Sequence, residues 1–195
     1  MARGGGSDNC YNDYNGYNGY NMPGGYKSLA FFIQSSIIYD FTVQFVKRYI
    51  EKGSRTVDQM VQAARSGKQN IAEGYLQKSF ENKLKLISVS RASLEELLND
   101  YCDFLRQKNL KLWDKNSSFS QRVRRLAYRD DKSYQTYEKY LLNPESAANA
   151  MICLINQTNK LLDQKIRWLE EDFVKQGGFR ENLFRKRREY LAKRR

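Results

Sequence analysis

Between residues 27 and 52, apolar side chains return every three or four positions: Leu29, Phe32, Ser36, Tyr39, Val43, Val46 and Ile50 form one helical seam. A second line, Phe31, Ile38, Phe41 and Phe45, runs beside it, so the apolar arc is wider than one bundle contact requires. A helix apolar on two sides predicts an interface between copies of the chain. Gly53 is expected to end this helix, and Thr56 with Gln59 three places on reads as a capping box opening a second helix over 57–73. Ser79 is expected to cap a third, whose seam Phe80, Leu84, Ile87, Arg91, Leu94, Leu98, Tyr101 and Leu105 carries one charge, Arg91. Asn143 as cap and Pro144 as first helical residue announce a fourth, running through Met151, Ile155, Thr158, Leu162, Ile166, Leu169 and Phe173 to Gly177 and Gly178.

The pattern therefore predicts an all-α fold, an antiparallel up-down four-helix bundle over residues 26–176, assembled as a ring-like homo-oligomer. Residues 1–25 hold five Asn, seven Gly and four Tyr, with the near-repeat NDYNGYNGYN and almost no branched aliphatics, so a disordered tail is expected. Its tyrosines suit either a passive tail or weak stacking on exposed bases. Between the third and fourth long helices, a short basic amphipathic helix is expected to place Arg122, Arg125 and Arg129, with Arg124 beside them, opposite Val123, Leu126 and Ala127.

Charge sharpens this picture. The formal net charge is +12, and residues 177–195 contain eight Lys or Arg against two Glu, half of the whole excess. These cations are Arg180, Arg185, Lys186, Arg187, Arg188, Lys193, Arg194 and Arg195, with Phe179, Leu183, Phe184, Tyr190 and Leu191 available to dock the tail on the bundle. Such runs fit phosphate contact through counterion release, and no base-reading motif accompanies them. RNA is expected ahead of DNA, with binding selective for shape or charge.

Catalytic chemistry is harder to find. Without histidine the chain has no Ser-His or Cys-His pair and no Glu-x-x-His ligands of a di-iron bundle. Gly67 and Lys68 lack the rest of a phosphate-binding loop, and Cys10, Cys102 and Cys153 lack zinc spacing. An odd number of scattered cysteines fits a reducing cytoplasm, and Gln34, Asp40 and Gln44 interrupt the most apolar window, so no membrane span is expected. Glu73, Glu95, Glu96 and Asp100 offer carboxylates for a metal or acid-base site, but a polar layer is the stronger reading. In it Glu73 or Glu95 pairs with Arg91 and Arg65, while Gln69 and Asn70 bond neighbouring backbone. The chain is expected to be no enzyme and to need no cofactor.

Two strings carry a resemblance: RTVDQMVQAARSGKQNIAEG at 55–74, ending in Asn70, Ile71, Ala72, Glu73 and Gly74, and SVSRASLEELLNDY at 88–101, with Arg91, Ser93, Leu94, Glu95 and Leu97. Over about residues 25–179 the chain resembles the bacterial four-helix-bundle family of 23S ribosomal RNA intervening-sequence proteins, most closely its suffix-domain variant. Where many of those relatives carry Ser-Ile-Pro-Ala, this chain has Ser66, Gly67, Lys68 and Gln69. The family includes the accessory variability determinant of diversity-generating retroelements, a basic, pentameric, nucleic-acid-binding partner of a reverse transcriptase. The resemblance thus implies a homopentameric nucleic-acid-binding scaffold that accompanies a reverse transcriptase. The alternative is a structural or protein-partner-binding oligomerisation module that holds no nucleic acid.

Overall fold

The computed structural model describes residues 25–130 and 132–194, and every regular element among them is helical. The expected N-terminal tail, Cys10 included, lies outside the described residues except for Gly25, as does Arg195. A 3-10 turn at Gly25–Ser28 leads into α1 (Ala30–Tyr49), followed by α2 (Arg55–Leu76) and α3 (Phe80–Gln107). Two short helices, α4 (Ser118–Leu126) and α5 (Tyr134–Glu138), and a 3-10 turn at Lys139–Leu142 precede the long α6 (Pro144–Gln176) and the terminal α7 (Phe179–Ala192).

The caps are local and mostly fall where the sequence puts them. Ser79 accepts from the Asn82 backbone N–H at 3.1 Å, and Asn143 accepts from the Ser146 N–H at 3.0 Å with Pro144 opening α6 behind it. Gly177 ends α6 at φ +77, a left-handed conformation that glycine adopts without steric cost. Two boundaries differ. The chain leaves α1 at Tyr49, because Ile50 is already extended, and Gly53 serves the turn at φ +84. α2 starts at Arg55 on a Ser54 cap, its hydroxyl accepting from the Thr56 N–H at 3.3 Å, so Thr56 is inside the helix instead of capping it.

α1 and α3 each lie against both α2 and α6. The partners run antiparallel: Ser66 on α2 meets Ser93 on α3 at 2.8 Å while Gly74 abuts Leu86, and Arg91 on α3 meets Asp163 on α6 while Glu95 meets Asn159. On α1, Gln34 meets Thr158 at 3.0 Å and Tyr49 reaches the Leu141 carbonyl, again in opposite order.

The core draws mostly on the second of the two lines on α1, with Val46 the buried member of the first. Ile38, Phe41 and Phe45 are fully buried, with the Phe45 ring 4.8 Å from Tyr101 and 4.9 Å from Phe104. Phe32, Ser36, Tyr39 and Val43, four members of the expected seam, are only half-buried and border a groove of about 650 Å³ shared with Asp40 and Tyr134. The register is decided by polar pairs that only the inner face satisfies: Gln34 with Thr158, and Thr42 with the Tyr101 hydroxyl at 2.9 Å, which burial holds far above its ordinary titration range.

Where α2 crosses α3 the backbones approach closely. A Cβ on Gly67 would lie 2.7 Å from Cδ2 of Leu94, and the Ser90 hydroxyl donates to the Gly67 carbonyl at 2.6 Å. Position 67 is therefore one where the close approach of α2 and α3 favours the absence of a side chain.

Candidate nucleic-acid interface

The first basic run is built on α4. Ser117 caps this helix by accepting from the Ser120 N–H at 3.2 Å, and Val123 and Ala127 are buried beneath it. Gln157 on α6 donates to the Arg124 carbonyl at 3.1 Å, which pins the helix on the bundle. Arg122, Arg125 and Arg129 consequently face solvent, as the periodicity expects, beside the exposed rings of Phe119 and Tyr128. Arg124 is half-buried and turned back, donating to the Lys115 carbonyl.

The second run is α7 with its following turn. Gly178 is buried at its root, where a Cβ would meet Glu81 of α3 at 2.6 Å and the Phe173 ring at 3.3 Å. Beyond that root no side chain of α7 is buried. Arg180, Arg185, Lys186, Arg187, Arg188, Lys193 and Arg194 are exposed, and so are Leu183, Phe184, Tyr190 and Leu191. The apolar flank expected to hold this tail against the bundle does not dock: after the two-glycine break at the end of α6 none of its side chains is buried. The two runs do not meet within one chain. α4 sits on α6 near Gln157, roughly 30 Å from Gly177 at 1.5 Å of rise per residue.

Of the expected polar layer, the structure brings together Arg91 and Glu95 and adds two partners the sequence reading missed. Arg91 bonds Glu95 at 2.6 Å and Asp163 at 2.9 Å, and Asn159 donates to Glu95 at 3.2 Å. Arg65, Gln69 and Glu73 are not in this layer, because the face of α2 that carries them points to solvent. Asn70 is half-buried and donates to the Ser66 carbonyl at 2.9 Å, a bond within its own helix. The carboxylates of Glu73 and Glu95 stand apart on different helices. Among the described residues no group of three or more His, Cys, Asp and Glu side chains is placed to hold a metal ion. Asp100 is the most perturbed acid: burial, helped by Glu96 and Asp103, raises its carboxyl to about 6. Cys102 and Cys153 are free, half-buried thiols, pushed up by burial.

A cationic cluster at the seam of α3 and α6 was also missed. Lys165, Trp168 and Asp172 share one stripe of α6 at spacings of three and four, with the Lys165 ammonium 3.8 Å from the Trp168 ring centre. Lys83 lies in the first turn of α3, its ammonium 5.8 Å from the Phe80 ring centre, and its charge acts on Lys165. Burial, then Lys83, lowers Lys165 to about 8, with Asp172 opposing; burial likewise lowers Lys83. The one legible signal was Trp168 directly after Arg167 and one turn after Lys165.

Among the described residues no helix is long and apolar enough to cross a membrane. Comparison of the chain with protein-family models, curated proteins and solved structures finds no match.

Proposed function

We propose that this protein is a non-catalytic, nucleic-acid-binding scaffold of the cytoplasm, an up-down four-helix bundle that assembles as a closed ring of five chains. The observation that carries the reading is α7, a fourteen-residue helix with no buried side chain and cations on every side. Arg180 and Arg187 lie seven apart and form one row, with Arg194 in the turn that follows the helix. Phe179, Leu183 and Tyr190 lie to one side of it, Phe184 and Leu191 to the other, and Arg185, Lys186, Arg188 and Lys193 cover the remainder. A helix lying on a membrane surface separates its apolar and charged faces; this one interleaves them. A single strand of RNA or DNA presents both phosphates for the cations and base faces for the aromatics. The resemblance extends the reading to service as an accessory factor of a reverse transcriptase.

A second reading, an oligomerisation module that binds protein and no nucleic acid, is favoured by the half-exposed line Phe32, Tyr39 and Val43 on α1. Fluorescence anisotropy at low salt separates the two. The nucleic-acid reading expects association with an unstructured RNA strand, weaker with duplex DNA. No association with either selects the second reading.

A further inference from the structure

The loop that leads into α4 is tied to the start of α6. The Trp113 backbone N–H donates to Asn149 at 2.8 Å, its indole N–H donates to Glu145 at 3.2 Å, and the Asn149 amide donates to the Lys111 carbonyl at 2.8 Å. Asn149 is itself buried, so the indole is anchored through both its backbone and its ring. Phe119, in the first turn of α4, sets its ring on this indole, with ring centres 5.3 Å apart and planes inclined by 34°. Phe119 is nevertheless 56% exposed, so it offers solvent an aromatic surface whose position is fixed from below.

The surroundings are cationic. Residues 111–125 carry Lys111, Lys115, Arg122, Arg124 and Arg125 against the single acid Asp114, and the nearby Glu145 carboxylate is already engaged by the Lys111 and Trp113 N–H groups. Arg122 lies one turn beyond Phe119 on the same side of α4. An unpaired nucleobase supplies both things this place combines: a π face for the ring and a phosphate alongside it for the cations.

We propose that Phe119, backed by Trp113, is a stacking platform for one unpaired base of a strand whose phosphates meet the cations of α4. The proposal deepens the nucleic-acid reading and rests on it. It adds a selection that the basic runs alone do not make, because charge accepts any phosphate backbone whereas the platform accepts only a base free of a duplex.

The test uses the full chain and its Phe119→Leu and Phe119→Tyr variants, with circular dichroism checking the fold and light scattering the mass. Affinity is read by fluorescence anisotropy across salt for an oligouridylate, an abasic strand of the same length and a duplex. Phe119→Leu is expected to weaken oligouridylate binding by about 5- to 150-fold, the range for one lost stacked base, while the abasic strand and the duplex bind as they do to the unaltered chain. Its salt slope should stay unchanged, since no cation is removed, and Phe119→Tyr should keep the unaltered affinity. Equal weakening for every probe would assign Phe119 to the shape of α4 and overturn the platform. If Phe119→Leu leaves oligouridylate affinity unchanged, the platform is overturned and the nucleic-acid reading survives; a fall in mass alongside that result makes Phe119 a contact between copies instead. No association of the unaltered chain with any probe overturns both the platform and the reading beneath it.

Discussion

The guanidinium of Arg91 on α3 donates from Nε to Asp163 on α6 at 2.9 Å. Its other arm holds Glu95 one turn along α3, so the charge in the middle of the α3 seam is satisfied at the rim between helices instead of in the core. The Arg91 side chain is 28% exposed and its partners 46% and 48%, which places the network between a surface pair and a buried one. Arg91→Ala should therefore destabilise by about 1 to 3 kcal/mol, below the roughly 3 to 5 expected for stranding a fully buried partner. Thermal unfolding with and without salt checks it: the deficit should shrink in salt, and an unchanged melting temperature would mean the pair holds nothing.

Gly67 gives a second expectation. Alanine is the better helix former by about 1 kcal/mol, yet its methyl would lie 2.7 Å from Leu94, so Gly67→Ala should destabilise by about 1 to 3 kcal/mol through overpacking. The sign should reverse in a Leu94→Ala background, where the methyl has room. Urea titration of the four proteins of that cycle reads the coupling directly.

The two lines on α1 predict opposite failures. Phe41 is fully buried in the chain's own core, so Phe41→Glu should abolish the cooperative thermal transition. Val43 borders the outer groove, so Val43→Glu should leave the fold intact and dissociate the proposed ring. Light scattering together with circular dichroism distinguishes them, and a wild-type mass near 23 kDa at micromolar concentration would contradict the assembly itself.

Which line faces inward was not legible in the sequence, because periodicity identifies an apolar face without saying whether the chain or its neighbour covers it. What is local was legible: Asn143 and Pro144 opening α6, Ser79 capping α3 and Gly177 closing α6 each depend on a few adjacent residues. What is tertiary was not. Asp163 is one place beyond Leu162 in the seam and became the partner of Arg91 only through the register of α3 on α6. Arg65, Gln69 and Glu73 share a motif with Asn70 but point outward, since α2 is covered on one side. The cations on α4 and α7 could be read off, whereas the exposure of the apolar flank of α7 depends on where the chain goes after the glycine break.

Asp100 carries the pH dependence. Its folded carboxyl titrates at about 6, above the ordinary 3.8, because burial and then Glu96 and Asp103 disfavour the charge. A raised acid contributes stability that is fully present below 3.8 and is lost as pH rises through about 6. Asp100→Asn should accordingly melt higher than wild type at pH 7, with the advantage fading as pH falls toward 4. A constant difference across that range would assign the effect to packing instead of charge.

The most direct measurement is the salt dependence of RNA binding by the full chain and by a chain with Arg185, Lys186, Arg187 and Arg188 replaced by Gln. Each phosphate neutralised on a single strand contributes about 0.7 to the log-log slope. The account predicts steep dependence for the full chain, a slope lower by up to about 2.8 for each bound chain of the variant, and uniform weakening across RNA sequences. An identical slope and affinity for the two proteins would contradict it.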